Sequence, residues 1–252
     1  MDEKYWDKVA VDYDSEIFNV LANDRDEIIV SYVSKFGSEK KAACDFGCGV
    51  GKFLPVLAEN FRHVYAIDIS GSLLSQAKEA CDGFDNISYF KKDLSIDKLK
   101  PEQVDFALCV NVLIMPDSEI RAGIIKAISE HLRKGGYFLL VVPSLESALY
   151  TDFRLLQWNL KEGMDYQESI EELQDGDSTD LELRQGLIEI DGVATKHFLK
   201  EELLAMFKDR AFEIISVEKV QYSWKTEFEK PPRWMAEPYP WDWLIILKKV
   251  KK

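Results

Sequence analysis

The sequence predicts a doubly wound α/β fold built on a mostly parallel, seven-stranded sheet with an antiparallel hairpin at one edge. Between residues 40 and 143, short apolar runs alternate with longer amphipathic stretches, which is typical of successive right-handed βαβ units. The run Val104–Val110 is apolar at nearly every position, as expected of a strand buried on both faces. A chain of 252 residues with an ordinary hydrophobic content of 46% is long enough for one domain with a large core.

The predicted elements follow one another in a regular order. Short apolar runs predict seven strands, over residues 42–45, 64–68, 87–91, 104–110, 137–142, 212–222 and 241–250. Amphipathic stretches predict helices over residues 52–60, 72–80, 119–132 and 200–208. Ser70 or Ser72 is the expected N-cap of the second helix, and Gly135 with Gly136 ends the third. A long proline-rich link joins the last two strands, which we expect to pair as the antiparallel hairpin at the sheet edge.

The segment 144–195 breaks this rhythm. It begins with a stretch that carries Tyr150, Phe153 and Trp158, and it continues into an acidic run over residues 168–180. The aromatic side chains can form the wall of an apolar pocket, whereas the acidic run should stay in solvent. We interpret this segment as an insertion that covers a binding site, with an ordinary surface appendage as the alternative.

A β-hairpin is expected near the end of the insertion. Asp191 and Gly192 form a turn of the kind that joins two short strands, here over residues 187–190 and 193–198. The whole chain, residues 1–252, is therefore interpreted as a single domain that carries one inserted lid.

Composition narrows the range of partners. The net charge is −13, whereas nucleic-acid binders generally need a basic surface, so a nucleic-acid substrate is disfavoured. The chain shows no signal segment and no apolar run near the ~20 residues of a membrane span, so we expect no membrane association. The four cysteines show no CxxC spacing and the three histidines are scattered, so we expect no metal site and a cytoplasmic location.

The main chemical signal is a glycine cluster that follows the first strand and opens the first helix. Glycine lets the backbone turn tightly and lets a ligand approach closely, and the N–H groups at the helix start favour an anionic group. Dinucleotide-binding enzymes have GxGxxG at this position. Here Gly47, Gly49 and Gly51 give GxGxG, and Asp45 stands two residues before the first of them. This carboxylate suits a ligand with a cationic amino group and would repel a pyrophosphate.

Three more polar residues follow later strands. Asp68 ends the second strand, where a carboxylate can accept hydrogen bonds from both ribose hydroxyls; a helix N-cap is the alternative. Asp93 follows the third strand and can accept a hydrogen bond from an adenine amino group. Asn111 follows the fourth strand, at the sheet edge where ligands bind in open α/β folds. Together these residues predict a nucleoside site along that edge.

In this order, the motifs DFGCGVGKF, AIDIS, FKKDL, VDFALCVNVL and LRKGGYFLLV resemble those of the class I S-adenosylmethionine-dependent methyltransferases, which have a Rossmann-like fold. The resemblance covers residues 5–143 and implies an enzyme with S-adenosylmethionine as its cofactor. It implies that Gly47 and Gly49 pass near the methionine end, that Asp68 holds the ribose, and that the adenine lies at Asp93. The implied cofactor residues are Tyr13, Asp45, Gly47, Gly49, Asp68, Ile69, Asp93, Leu94 and Asn111.

The substrate side of the site is less well defined by the sequence. No catalytic base is predicted, because Ile114, Met115 and Pro116 stand where many relatives have a polar residue. Transfer from a sulfonium mainly requires alignment of the reacting atoms, so a base is needed only if the acceptor must lose a proton. We expect aromatic side chains to form the lid and the substrate wall, with core packing as the alternative. These residues are Trp6, Tyr150, Phe153 and Trp158.

A small molecule is the expected methyl acceptor, because the chain is acidic and the insertion can enclose a ligand. A protein or RNA methyltransferase is the alternative within the enzyme class. An NAD-dependent oxidoreductase and a non-catalytic cofactor-binding protein are the alternatives from other classes. The sequence does not determine the acceptor atom or the oligomeric state.

Overall fold

The computed structural model describes residues 1–97, 103–173, 179–208 and 211–251. Its main sheet contains the strands β1 (Ser38–Phe46), β2 (Phe61–Asp68), β3 (Ile87–Lys91), β4 (Val104–Val110), β5 (Leu132–Pro143), β8 (Phe212–Gln221) and β9 (Trp241–Lys249). A separate hairpin contains β6 (Leu187–Ile190) and β7 (Val193–Lys196). The helices are α1 (Glu3–Val9), α2 (Tyr13–Glu16), α3 (Val20–Asn23), α4 (Ile28–Phe36), α5 (Leu54–Asn60), α6 (Gly71–Ala80), α7 (Ser118–His131), α8 (Leu145–Glu162), α9 (Tyr166–Leu173), α10 (Asp180–Arg184) and α11 (Lys200–Lys208).

The predicted fold class is confirmed. The seven-stranded sheet has the order β3-β2-β1-β4-β5-β9-β8. The first five strands are parallel, whereas β9 runs antiparallel to both β5 and β8. The last strand of the chain is therefore inserted between β5 and β8, and the antiparallel pair closes that end of the sheet.

Hydrophobic periodicity places helices on both faces of the sheet. On one face, Ile29 and Val33 of α4 and Leu57 of α5 are fully buried. On the other face, Ile128 of α7 and Phe207 of α11 are buried in the same way. Burying each such side chain stabilises the fold by roughly 1.5–3 kcal/mol, so both layers contribute to holding the sheet edge in place.

Local signals fix several element boundaries. The Ser70 side chain caps α6 by accepting a hydrogen bond from the backbone N–H of Leu73 at 3.1 Å. Gly135 adopts a positive φ of 86°, as a chain reversal requires, but it lies inside β5 and does not precede the strand. The strand begins at Leu132 because this residue pairs with Val104 on β4, a long-range contact that local sequence does not reveal.

The segment 144–195 forms a helical layer followed by the hairpin. α8 continues directly from β5, α9 packs against it, and the hairpin turns at Asp191 and Gly192, both with positive φ. The hairpin is tied to the main domain, because the Lys196 backbone N–H donates to the Ile114 carbonyl at 2.8 Å. Part of the acidic run, residues 174–178, lies outside the described residues. None of the helices in the described ranges has the length and apolar character needed to cross a bilayer.

Candidate cofactor and substrate site

One end of each of the seven strands lies at the same edge of the sheet. β1 to β5 are parallel and finish at this edge, β9 begins there, and β8 ends there. A cavity of about 940 Å³ runs along the edge. Ligands bind at this edge in open α/β sheets, so its lining residues form the candidate site. We call the part over β1 to β4 the first half and the part over β5, β9 and β8 the second half.

The glycine loop forms the floor of the first half. The backbone N–H groups of Gly47 and Cys48 both donate to the Ile67 carbonyl, at 2.7 and 3.0 Å, which holds the loop against β2. Gly47 and Gly49 have positive φ values of 80° and 53°. A Cβ atom at Gly49 would lie 2.5 Å from the hydroxyl of Tyr13. Glycine is therefore required both for the backbone conformation and for the close approach of neighbouring groups.

Two carboxyl groups meet beside this loop. Asp45 is 3% exposed and Asp68 is 6% exposed. Burial, and then repulsion from Asp68, raise the pKa of Asp45 to about 8. Burial also raises the pKa of Asp68, although that carboxylate accepts hydrogen bonds from the N–H groups of Gly49 at 2.8 Å and Ser70 at 2.9 Å. No ion pair among the described residues includes either group, so both are suited to a ligand that brings its own positive charge and hydroxyl donors.

The N-terminal helices cover the first half. The Ser70 hydroxyl donates to Asp7 of α1 at 2.5 Å, and the Gln76 amide donates to the Ala10 carbonyl at 2.7 Å. These contacts hold α1 on α6, and Trp6 and Tyr13 line the cavity beneath. Burial, followed by repulsion from Asp68, raises the pKa of the Tyr13 hydroxyl, which therefore stays protonated and can donate a hydrogen bond.

The remaining predicted cofactor residues lie on the same wall. Ile69, Asp93 and Leu94 line the cavity, and Leu94 is buried. One oxygen of Asp93 accepts hydrogen bonds from the N–H of Ser95 at 2.8 Å and from its hydroxyl at 2.6 Å. No described residue donates a hydrogen bond to the other oxygen of Asp93, which is therefore open to a ligand. All nine predicted cofactor residues thus line one cavity, although their contact with a cofactor stays a prediction.

Asn111 lies where the two halves meet. It adopts a left-handed φ of 52° and its N–H donates to the Val141 carbonyl at 3.0 Å. Its side-chain oxygen is buried and has no partner among the described residues. Leaving a buried carbonyl oxygen without a hydrogen bond costs about 1–3 kcal/mol, and Asn111 lines the cavity, so this residue is a candidate for contact with a ligand.

The second half contains polar residues that the sequence analysis missed. The Tyr222 hydroxyl donates to Asp242 Oδ2 at 2.8 Å, and the Asn111 amide donates to the same oxygen at 3.3 Å. Burial raises the pKa of Asp242 to about 6 and also raises the pKa of Glu227. Burial lowers the pKa of His197, whose Nδ1 lies 3.0 Å from the Thr195 carbonyl. All four of these titratable side chains line the cavity.

One signal in the sequence could have identified Asp242. It is a lone acid between two tryptophans at the start of an otherwise apolar strand, WDWLIIL. A carboxyl group in a buried strand costs free energy unless it is paired, which makes it a candidate functional residue. Glu227 and His197 carry no comparable signal, because they lie in irregular segments whose position depends on tertiary packing.

The expected aromatic wall differs from the one in the structure. Trp6 lines the cavity, but Tyr150, Phe153 and Trp158 are not among the described residues that line it. The Tyr150 ring packs 5.7 Å from that of Trp224, Phe153 is 54% exposed, and Trp158 is packed against another aromatic ring. The proposed contact of these three side chains with substrate is therefore not supported by their positions.

The orientation of α8 explains this difference. The Ser147 hydroxyl accepts a hydrogen bond from the backbone N–H of Trp241 at 2.8 Å, and the Glu146 carboxylate accepts one from the indole N–H of Trp243 at 3.0 Å. These contacts fix the rotation of the helix about its axis. The side of α8 that faces the cavity therefore carries small side chains, spaced three or four residues apart as on one face of a helix. They are those of the N-cap Ser144, Ser147, Ala148 and Thr151.

The residues present fit S-adenosylmethionine. The buried Asp45 carboxyl has no positive partner within the described ranges, Asp68 lies at the tip of β2, and the glycines leave the backbone open to close approach. These groups match a cationic amino group, a ribose and the chain between them.

Comparison with known proteins supports the same assignment. Residues 43–136 match a family model described as a methyltransferase domain. The chain is 26% identical over 148 residues to phosphoethanolamine N-methyltransferase 1 of Triticum aestivum, covering 55% of this chain and 29% of that protein. It therefore spans less than a third of the length of this relative.

Solved structures share the fold. An S-adenosylmethionine-dependent methyltransferase from Methanosarcina mazei has a TM-score of 0.60 at 21% identity, covering 88% of this chain and 98% of that one. The N-methyltransferase NodS from Bradyrhizobium japonicum, in complex with S-adenosylhomocysteine, has a TM-score of 0.62 at 13% identity, covering 98% and 97%. With the strand order, these similarities show that the chain has the fold of S-adenosylmethionine-dependent methyltransferases and that residues 43–136 match a methyltransferase domain.

Proposed function

We propose that this protein transfers the methyl group of S-adenosylmethionine to a small molecule bound in the second half of the cavity. The observation that carries the proposal is the continuity of the two halves. The predicted cofactor residues line the first half, and a separate set of buried polar groups lines the second. The volume of about 940 Å³ lies at the upper end of the ~300–1,000 Å³ range of small-ligand sites, as a site for two ligands requires.

Each half has a distinct role in this proposal. When bound, S-adenosylmethionine supplies a methyl group that is already activated by the positive charge on its sulfur. The protein then mainly has to hold the acceptor in line and exclude water. Asp68 binds the ribose hydroxyls, Asp45 binds the amino group of the methionine moiety, and the hydroxyl of Tyr13 covers the glycine loop. Asn111 separates the two ligands, since it borders both groups of residues.

We further propose that the segment 144–195 is a substrate lid. Ala148 and Thr151 of α8 and Ile190 and Asp191 of the hairpin all line the cavity. Tyr5 of α1 also lines the cavity, so the hairpin turn and α1 border the same space. Closure from both sides would exclude water from the transfer step.

A small-molecule acceptor is favoured over a protein or RNA. The chain carries a net charge of −13, which disfavours RNA, and the second half is lined by side chains from α8, the hairpin and β9. Two of the similar proteins are named as N-methyltransferases, one of them for phosphoethanolamine. The four free and buried cysteines support the proposal of a reducing, cytoplasmic location.

Calorimetry and a transfer assay test the proposed function. S-adenosylhomocysteine should bind in the micromolar range or tighter, and NAD should bind much more weakly. Incubation with S-adenosylmethionine and fractionated small metabolites should yield a product heavier by one methyl group. Tight NAD binding without S-adenosylhomocysteine binding would refute the cofactor site. Cofactor binding with methylation of protein or RNA only would refute the small-molecule acceptor, and cofactor binding without any transfer would support a non-catalytic role.

A further inference from the structure

The second half of the cavity contains two acids, Asp242 and Glu227, that form no ion pair with a described residue. Asp242 is buried, at 9% exposed, whereas Glu227 is exposed and accepts a hydrogen bond from the Thr226 hydroxyl at 2.7 Å. None of the ion pairs formed within residues 1–97, 103–173, 179–208 and 211–251 includes either carboxyl group. Burying a carboxylate without a counter-charge is costly, so the absence of a protein cation here needs a functional explanation.

The hydrogen bonds that described residues make to Asp242 leave one of its oxygens for a ligand. The Tyr222 hydroxyl and the Asn111 amide both donate to Oδ2, which fixes the plane of the carboxyl group. Oδ1 receives neither bond, and Asp242 lines the cavity. The carboxyl group is therefore positioned by its neighbours, with one acceptor atom available on the cavity side.

Trp241, the residue before Asp242, also lines the cavity and is 8% exposed. Its backbone N–H donates to the Ser147 hydroxyl at 2.8 Å, which holds the start of β9 against α8. Asp242 therefore lies at a strand end that is itself fixed in place.

The distribution of charge around the cavity indicates the sign of that ligand. The lysines that line the cavity are Lys8 on α1, Lys52 between the glycine loop and α5, and Lys92 directly after β3, so all three lie around the first half. No lysine or arginine among the described lining residues borders the second half, so a phosphate or carboxylate would find no lysine or arginine partner among them. Phe18 and Tyr222 add aromatic rings to this wall, packed edge to face at 4.8 Å, and aromatic faces attract ammonium groups.

We propose that the methyl acceptor is an amine, held in the second half of the cavity by Asp242 and Glu227. This inference rests on the proposed function, because it names the substrate class of the same site. The ammonium group binds Oδ1 of Asp242 and the Glu227 carboxylate, beside the aromatic rings of Phe18 and Tyr222. Asn111 links this wall to the first half, so the amine nitrogen is held next to the place where transfer occurs.

The groups in this site can account for the proton, the electron pair and the positive charge that move during transfer. The bound ammonium gives one proton to the Asp242 carboxylate and becomes a neutral amine with a free lone pair. That lone pair forms the new N–C bond while the electron pair of the S–C bond returns to sulfur, which becomes a neutral thioether. The positive charge moves to the methylated nitrogen, where the second acid, Glu227, stabilises it. The raised pKa of Asp242, about 6, suits a group that takes up and then releases a proton near neutral pH.

The test compares amines with neutral molecules of the same shape. Putrescine is compared with 1,4-butanediol, ethanolamine with ethylene glycol, and benzylamine with benzyl alcohol. Binding to the protein saturated with S-adenosylhomocysteine is measured by calorimetry, and N-methylated product by mass spectrometry. At least one amine should bind about tenfold or more tightly than its alcohol, as the loss of a charged hydrogen bond implies. The proposal is overturned if no amine binds better than its alcohol.

Charge-neutral variants assign this preference to the two acids. Asp242→Asn keeps the hydrogen bond from Tyr222 and removes the charge, and Glu227→Gln does the same for the second acid. Each variant should lower amine affinity at least about tenfold and leave S-adenosylhomocysteine affinity within about twofold. Glu213→Gln, at an exposed site of β8, is the matched control and should change neither affinity.

The possible failures are distinguishable. If Asp242→Asn does not fold, Glu227→Gln alone decides the assignment of the charge. Unchanged amine affinity in the folded variants overturns the proposal even though the cofactor still binds. Failure of the unmodified protein to bind S-adenosylhomocysteine would instead overturn the proposed function, and the amine inference with it.

Discussion

The buried Asp45 carboxyl should destabilise the protein without its cofactor, and this cost should depend on pH. Burial, and then repulsion from Asp68, raise the pKa of Asp45 from 3.8 to about 8. Between these two values the folded state binds more protons at this group than the unfolded state does. The stability contributed by Asp45 therefore falls as pH rises through this window, by up to about 1.4 kcal/mol per pH unit.

Replacement of Asp45 by asparagine isolates this effect. The free energy of unfolding is measured by urea titration at pH 5, 6 and 7, without cofactor, for the wild type and for Asp45→Asn. Relative to the variant, the wild type should lose about 1.4 kcal/mol of stability from pH 6 to pH 7. Asp82→Asn, which removes an exposed carboxyl group, controls for the general loss of one acid.

The same pair of proteins links this cost to binding. A cationic amino group next to Asp45 would favour its ionised form, so S-adenosylhomocysteine should stabilise the wild type far more than Asp45→Asn. Binding to the wild type at pH 7 should also release a proton, which calorimetry in buffers of different ionisation enthalpy detects. A difference in stability between wild type and variant that stays constant from pH 5 to pH 7 would refute the reasoning.

Three further predictions concern the loop, the ribose site and the lid. Gly49→Ala should destabilise the protein by about 1–2 kcal/mol from backbone strain alone, and more because its Cβ would meet Tyr13; thermal unfolding measures this. Asp68→Asn should weaken S-adenosylhomocysteine binding at least about tenfold by calorimetry, and unchanged affinity would mean that the ribose is held elsewhere. Ala148→Phe should abolish turnover with little change in cofactor affinity, whereas the exposed neighbour Leu149→Phe should alter neither, and loss of cofactor binding in Ala148→Phe would contradict a substrate-side lid.

Most strands and helices of the main sheet could be predicted from local sequence patterns. The strand over 104–110 has its predicted bounds, and the helix after Ser70 begins one residue earlier than predicted. These elements carry strong periodicity and clear caps, which act over a few residues. The N-terminal helices α1 to α4 were not predicted, because they are short and depend on tertiary packing, α1 on α6 and α4 on α5.

The sequence by itself determined the first half of the candidate site. Asp45, Asp68, Asp93 and Asn111 each follow a strand, and parallel neighbouring strands must bring their carboxyl ends to one edge. The position of these residues along one edge therefore follows once the strand order is known, and their contact with a nucleoside stays a prediction. Its position depends on short-range patterns that a single chain displays directly.

Only the tertiary structure decided the second half. Asp242 lies 131 residues from Asn111 in the chain, and the two meet because β9 is inserted between β5 and β8. The rotation of α8, set by the contacts of Glu146 and Ser147 with β9, turned Tyr150 away from the cavity and a small face towards it. Strand insertion and helix rotation depend on the sum of many distant contacts, each too weak to leave a pattern in the local sequence.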